Sequence, residues 1–256
     1  MRIFLALACY FTITVATYAQ MPEFKELRSD HFIIQYSPAT ETGVYKIKDD
    51  AEYFYRKITQ EFGLTGGNLW AWENRVKILV AKDRQEYLSN FQCPGWSAAC
   101  VDYSNRIIYT YPSQDNFSYI LPHELTHIIF REHIGYRKLP LWLDEGMATY
   151  IEYRGSYQEQ TIVTLMKQLI KDNKYLDFTG IDSVFSLNEN RDAQLFYNQA
   201  FSMVYFLIKR FGNEDFSEFL SYLKSGSSVE DALRGAFGGI ENIKSFEEAW
   251  KKFYLL

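Results

Sequence analysis

The segment at residues 121–130, LPHELTHIIF, contains two histidines and constrains the fold and function of this chain more than any other feature. On a helix, His123 and His127 lie one turn apart and within about 40° of one another, so both imidazoles can reach one metal ion. Glu124 falls beside them, where a carboxylate can accept a proton without being a ligand. This spacing is typical of a zinc hydrolase. The alternative is that the three residues fall by chance on an ordinary amphipathic helix.

A third ligand is needed, and the residues downstream offer two candidates. His133 has the spacing of sites in which a glycine breaks the helix before the third histidine, but this chain has Phe130 at the glycine position. If the helix continues, His133 lies about 240° round from His127 and faces away. Glu145 stands on a second predicted helix, which follows a helix end capped by Gly135 and has Pro140 in its first turn. Two histidines and one glutamate leave the fourth zinc position open, as a catalytic site requires.

The segments HELTH and WLDEGMATY together resemble the gluzincins, which are MA-like zinc metallopeptidases, and especially the W-L-x-E-G-x-A-x-Y segment of the aminopeptidase N group. The resemblance implies one zinc ion bound by His123, His127 and Glu145, with Glu124 as the catalytic base. The chain lacks the G-x-M-E-N segment with which that group binds a free amine. The resemblance therefore leaves endopeptidase action and other amide hydrolysis open beside aminopeptidase action.

The resemblance also suggests roles for nearby residues. Tyr197, in FYNQAF, matches the tyrosine that donates a hydrogen bond to the oxyanion in the aminopeptidase N group. Asp144 and Thr149 flank Glu145 at positions −1 and +4, where gluzincins carry polar residues that hydrogen-bond the zinc-binding histidines. The alternatives are a packing role for Tyr197, in a chain with 20 tyrosines, and a helix N-terminal role for Asp144.

Residues 95–101 resemble the edge strand beside the active-site helix of gluzincins, to which an extended peptide substrate can add. The small residues Ser97, Ala98 and Ala99 would leave room for that substrate. Cys93 and Cys100 are an even pair that an exported protein tends to join in a disulfide. Two unpaired core thiols are the alternative.

Residues 1–19 have the pattern of a signal peptide, with Arg2, an apolar run and a small residue, Ala19, at the expected cleavage point. The pattern predicts export to the periplasm or the extracellular space, and a membrane anchor or a buried strand is the alternative. Cys9 lies in a segment that resembles a lipobox, but it comes too early in the apolar run to favour a lipoprotein. No later stretch is long and apolar enough to span a bilayer.

The apolar spacing predicts an α+β fold for residues 20–256, and the family resemblance implies that these residues form a single zincin-like peptidase domain. An N-terminal mixed β-sheet with helices, over residues 20–134, ends in the active-site helix, and a mostly helical C-terminal lobe covers residues 135–256. The predicted strands are residues 31–36, 75–81, 96–102 and 106–111. The other predicted helices are residues 44–62, 84–91, 158–171, 193–211, 214–224, 229–236 and 245–254.

The charge of the chain argues against some classes of binding partner. The formal net charge is −5, and the lysines and arginines form no cluster, which argues against nucleic acid and against an anionic membrane surface. A peptide or protein substrate is the expected partner. A function of another class, a binding or structural domain that retains zinc without catalysis, is the main alternative, although such a domain has no need of Glu124.

Overall fold

The computed structural model describes residues 24–64, 74–91, 93, 95, 97–112, 117–135, 139–181 and 190–256. The predicted signal peptide lies outside the described residues. The strands are β1 (Lys25–Arg28), β2 (Phe32–Tyr36), β3 (Val76–Val80), β4 (Ala99–Asp102) and β5 (Ile107–Thr110). The helices are α1 (Glu41–Glu61), α2 (Arg84–Asn90), α3 (Phe117–His133), α4 (Leu141–Tyr153), α5 (Tyr157–Lys171), α6 (Asn190–Phe211), α7 (Asn213–Ser225), α8 (Val229–Ala236) and α9 (Ile243–Leu255).

The strands pair in the order β1-β2-β3-β5-β4, with parallel pairing in the centre and an antiparallel strand at each edge. Alternate residues of the two central strands β2 and β3 are buried: Phe32, Ile34, Tyr36, Val76, Ile78 and Val80. Because side chains alternate across a strand, these residues share one face of the sheet. α1 packs against β2 and against α3, while β4, at one edge of the described sheet, contacts α3. The sheet thus brings its edge strand beside the motif helix.

Nearly all of the predicted elements are found within a few residues of their predicted ends. β1 is the strand that the sequence did not predict, because three of its four residues, KELR, are charged and exposed, and the single apolar residue, Leu27, gives no apolar alternation. Backbone pairing with β2 holds it in place. A mixed sheet followed by a mostly helical half confirms the predicted α+β class and agrees with a zincin-like fold. None of the helices in the described segments has both the length and the apolar composition needed to cross a bilayer.

The motif helix α3 runs on through His133, and Gly135 follows its end. Gly135 has a φ of +72°, a left-handed conformation that favours glycine after a helix end. Pro140 was expected in the first turn of α4, but it is the N-cap residue, and its carbonyl accepts hydrogen bonds from the amides of Leu143 and Asp144. The short connection places α3 and α4 side by side.

Close packing of α4 on α6 depends on Gly146. A Cβ atom at this position would lie 2.5 Å from the carbonyl oxygen of Ala200 and 2.9 Å from Cγ2 of Val204. Because the nearest obstacle is backbone, it cannot move aside as a flexible side chain would. The glycine therefore lets α4 approach α6 and sets the position of the neighbouring Glu145.

We expect Gly146→Ala to destabilise the fold by about 1–3 kcal/mol, since overpacking forces the two helices apart. Thermal unfolding followed by circular dichroism measures the effect. The control is Gly238→Ala, because Gly238 is exposed and a Cβ there would meet no atom within 4 Å. Equal unfolding temperatures for the two variants would show that α4 and α6 do not need the glycine.

Candidate metal centre and active site

Helices α3 and α4 bring two imidazoles and one carboxylate together. Nε2 of His123 lies 3.6 Å from Oε2 of Glu145, and Nε2 of His127 lies 3.7 Å from the same oxygen. The three donor atoms all lie within 4.8 Å of one another. The two imidazole rings are 4.9 Å apart and nearly perpendicular, so neither blocks the other. The geometry therefore assembles two histidines from one helix and a glutamate from the next around a common point.

Each imidazole is oriented by a carboxylate on its far side. Nδ1 of His127 lies 2.9 Å from Oδ1 of Asp144, and Nδ1 of His123 lies 2.9 Å from Oε2 of Glu152. A histidine that donates its Nδ1–H in this way leaves the Nε2 lone pair for a metal. A tetrahedral zinc ion with bonds of about 2.1 Å separates its ligand atoms by roughly 3.4 Å, close to the 3.6 and 3.7 Å between Glu145 and the two histidines. The residues present fit a zinc ion.

The carboxylates beside His123 stabilise positive charge at this site. Burial lowers the pKa of His123, but hydrogen bonds with Glu145 and Glu152 outweigh it and raise the pKa to about 10. Without a metal, the imidazole therefore holds a proton at neutral pH. A zinc ion must displace that proton, and it offers the same carboxylates a larger positive charge.

Asp144 links the site to the turn between β4 and β5. Its Oδ2 atom accepts a hydrogen bond of 2.7 Å from Nη2 of Arg131, and the Arg131 guanidinium lies 3.8 Å from the ring centroid of Tyr103. Burial raises the pKa of Asp144, but its hydrogen bonds with His127 and Arg131 lower it overall, below its ordinary value. The Asp144 carboxylate thus stays ionised and lies between a candidate ligand and a fixed cation.

Glu152 is a site residue that the sequence reasoning missed. It lies on α4, seven residues after Glu145, and seven residues make nearly two full helical turns, so both carboxylates lie on the same face. The predicted partners of the histidines were at positions −1 and +4 from Glu145. Thr149, at +4, was expected to hydrogen-bond a ligand imidazole, but its hydroxyl has no partner in the described part of the chain. His123 pairs with Glu152 instead.

We expect Glu152→Ala to weaken zinc binding by about 10- to 100-fold, because His123 loses the carboxylate that fixes its tautomer and ring orientation. Competition with a coloured chelator measures the affinity. Glu218→Ala, which removes an exposed glutamate on α7, is the control. Wild-type affinity in the Glu152 variant would mean that His123 does not depend on this contact.

Glu124 lies beside the donor set without belonging to it. The three grouped donors are His123, His127 and Glu145, and Glu124 lines the same cavity. Burial raises the pKa of Glu124, the two histidines oppose this, and the neighbouring carboxylates add to it. A carboxylate with a raised pKa is a stronger base than an ordinary glutamate, which is what proton transfer from water requires.

A cavity of about 490 Å³ opens over these residues. The residues predicted from the edge strand, Ser97, Ala98 and Ala99, line one side of it, and Tyr197 on α6 lines it as well. Burial raises the pKa of Tyr197, so its phenol keeps its proton and can donate a hydrogen bond. The structure therefore brings the predicted substrate strand and the predicted oxyanion donor to the same cleft.

A disulfide joins Cys93 to Cys100, with 5.8 Å between the Cα atoms. The disulfide ties Cys93, which follows α2, to Cys100 in β4, next to the small residues that line the cleft.

His133 does not belong to the described donor group. Burial and the charge of Lys224 lower the pKa of His133. Since α3 continues through His133, that side chain lies outside the donor group, and Lys224, the charge that acts on it, is on α7.

Comparison with known families agrees with the site. A family model described as the Peptidase MA superfamily matches residues 89–255, which include the edge strand, the motif helix and the helical half. A comparison with curated proteins finds no significant match. The matched region covers more than half of the chain and has a metallopeptidase-like site at its centre. The chain belongs to the Peptidase MA superfamily.

Proposed function

We propose that this protein is an exported, zinc-dependent metallopeptidase that hydrolyses peptide bonds. The observation that carries the proposal is a set of three donors, His123, His127 and Glu145, with a fourth group, Glu124, beside them as a base. A domain that bound zinc only for structure would close the site with a fourth ligand and would need no buried carboxylate there. The export part rests on the signal-peptide pattern of residues 1–19.

Bound zinc would act as a Lewis acid, polarising the scissile carbonyl and making water acidic enough to lose a proton near neutral pH. Glu124 takes the proton of the attacking water and passes it to the nitrogen of the leaving amine. Tyr197 donates its O–H to the oxygen that becomes negative as the carbonyl is attacked. Asp144 and Glu152 keep the two imidazoles oriented, so the reacting groups need no rearrangement during the reaction.

The peptide would lie along β4, with its backbone paired to the edge of that strand opposite β5. Ser97, Ala98 and Ala99, which have small side chains, line the cavity on the side of this strand. Extended pairing of this kind positions the scissile bond without reading the sequence of the substrate. Specificity must then come from side chains elsewhere in the cleft.

Digestion of a defined mixture of synthetic peptides by the purified protein tests the proposal. Mass spectrometry identifies the products, and parallel samples contain a zinc chelator. The expected result is cleavage that the chelator abolishes. Internal cleavage would identify an endopeptidase, whereas stepwise loss of N-terminal residues would identify an aminopeptidase. Zinc-loaded protein that leaves every peptide intact would contradict the proposed activity and favour a zinc-retaining binding domain.

A further inference from the structure

Two buried polar side chains in the cleft each carry a hydrogen-bonding group that the described part of the chain leaves unpaired. Thr149 on α4 is 3% exposed and Asn198 on α6 is 7% exposed, and both line the cavity. Within the described residues the Thr149 hydroxyl has no hydrogen-bond partner. The Asn198 amide oxygen accepts a bond of 3.1 Å from Nε2 of Gln194, and its NH₂ group makes none within the same residues.

This arrangement differs from how the chain treats other helical threonines. The hydroxyls of Thr126, Thr161 and Thr164 each donate to the carbonyl oxygen four residues earlier, at 2.7, 3.0 and 2.9 Å. That local bond is the usual way for a threonine within a helix to satisfy its hydroxyl. Thr149 does not make it, although its helix continues on both sides. Buried polar groups are nearly always paired in proteins, so the unpaired Thr149 hydroxyl indicates a partner that is not part of the chain.

The position of the pair relates it to the proposed reaction. Thr149 lies one helical turn beyond Glu145, and Asn198 follows Tyr197 directly along the chain. Both stand on helices packed tightly through Gly146, so neither is on a mobile loop. A substrate held between the metal centre and Tyr197 must pass next to them.

The surrounding charges restrict what can bind there. Three carboxylates line the cavity, from Glu124, Glu145 and Glu152, and no lysine or arginine is among the described residues that line it. An acidic side chain would be repelled. Asn198 offers N–H donors, and the Thr149 hydroxyl can both donate and accept. A carboxamide matches this pair, since its oxygen can accept from Asn198 while its NH₂ donates to Thr149.

We propose that Thr149 and Asn198 form a polar subsite that binds a carboxamide side chain, that of glutamine or asparagine, next to the scissile bond of the peptide substrate. The inference rests on the proposed function and adds the substrate class. A site built to hydrogen-bond a polar group rejects an apolar analogue of the same size, because binding the analogue leaves its own buried groups unpaired.

Binding of two small probes tests the subsite without relying on turnover. Glutamine hydroxamate and leucine hydroxamate carry the same zinc-binding group and differ in the side chain. Calorimetry on zinc-loaded protein should show glutamine hydroxamate binding about 10-fold or more tighter. Thr149→Val and Asn198→Leu should each bring the ratio close to one. Thr164→Val should keep the wild-type ratio, because Thr164 is at an exposed position of α5 and its hydroxyl already donates to the Gln160 carbonyl. Equal binding by the wild type, or an unchanged ratio in both cleft variants, would overturn the proposal.

Thermal unfolding of the metal-free protein adds a readout that depends on neither zinc nor hydrolysis. If the Thr149 hydroxyl serves a ligand, Thr149→Val removes an unpaired buried group and should hold or raise the unfolding temperature. If the hydroxyl serves the fold, this replacement should lower the unfolding temperature, which would also overturn the proposal. A protein that hydrolyses no peptide yet discriminates the two hydroxamates would refute the proposed activity while leaving the subsite in place.

Discussion

Replacing Glu124 with glutamine is expected to lower peptide hydrolysis by about 10²-fold or more while zinc stays bound. Glutamine keeps the size and the hydrogen-bonding capacity of the side chain, but it cannot take a proton from water. Elemental analysis gives the zinc content, and the rate of cleavage of one peptide from the digested mixture gives the activity. The two measurements together separate a base from a ligand.

Glu132→Gln is the matched control for this experiment. Glu132 lies on the same helix, and its carboxylate pairs with Arg106, with 2.5 Å between Nε and Oε1, rather than lining the cavity. We expect this variant to cleave at close to the wild-type rate. Undiminished hydrolysis in the Glu124 variant would remove the proposed base, and loss of its zinc would make Glu124 a ligand.

Replacing Glu145 with alanine is expected to reduce zinc affinity by more than the 10- to 100-fold typical of losing an outer partner, because a direct ligand is removed. His133→Ala should bind zinc as tightly as the wild type, since α3 continues through His133 and turns it away from the site. Metal content after dialysis against a weak chelator measures both variants. Zinc retained without Glu145 but lost without His133 would contradict the assignment of the third ligand.

The parts of the site that depend on one helix were predictable from spacing alone. His123, Glu124 and His127 fall together because residues one turn apart share a face, and this holds whatever the rest of the chain does. The end of α3 was predictable for a similar reason, since Gly135 can adopt the positive φ that the turn needs. Glu145 required the family resemblance, because no local rule sets the distance between two helices. Glu152 was within reach of the same helical period but lay outside the positions considered.

The contacts that depend on packing between elements were beyond sequence reasoning. The Arg131 guanidinium packs on the Tyr103 ring because the turn after β4 lies beside α3. The local sequence around either residue does not predict this contact. The shared placement of Thr149 and Asn198 results from the approach of α4 to α6 through Gly146. β1 escaped prediction because pairing with β2, rather than an apolar face, holds it in the sheet. Long-range packing thus decided the details that local patterns left open.

A titration of zinc into metal-free protein, with the rate of peptide cleavage as the readout, tests the central claim most directly. If one zinc ion bound by His123, His127 and Glu145 makes the protein a peptidase, cleavage should be absent at first, rise in proportion to added zinc and level off at about one equivalent. Cleavage by the metal-free protein that zinc does not increase would contradict the claim.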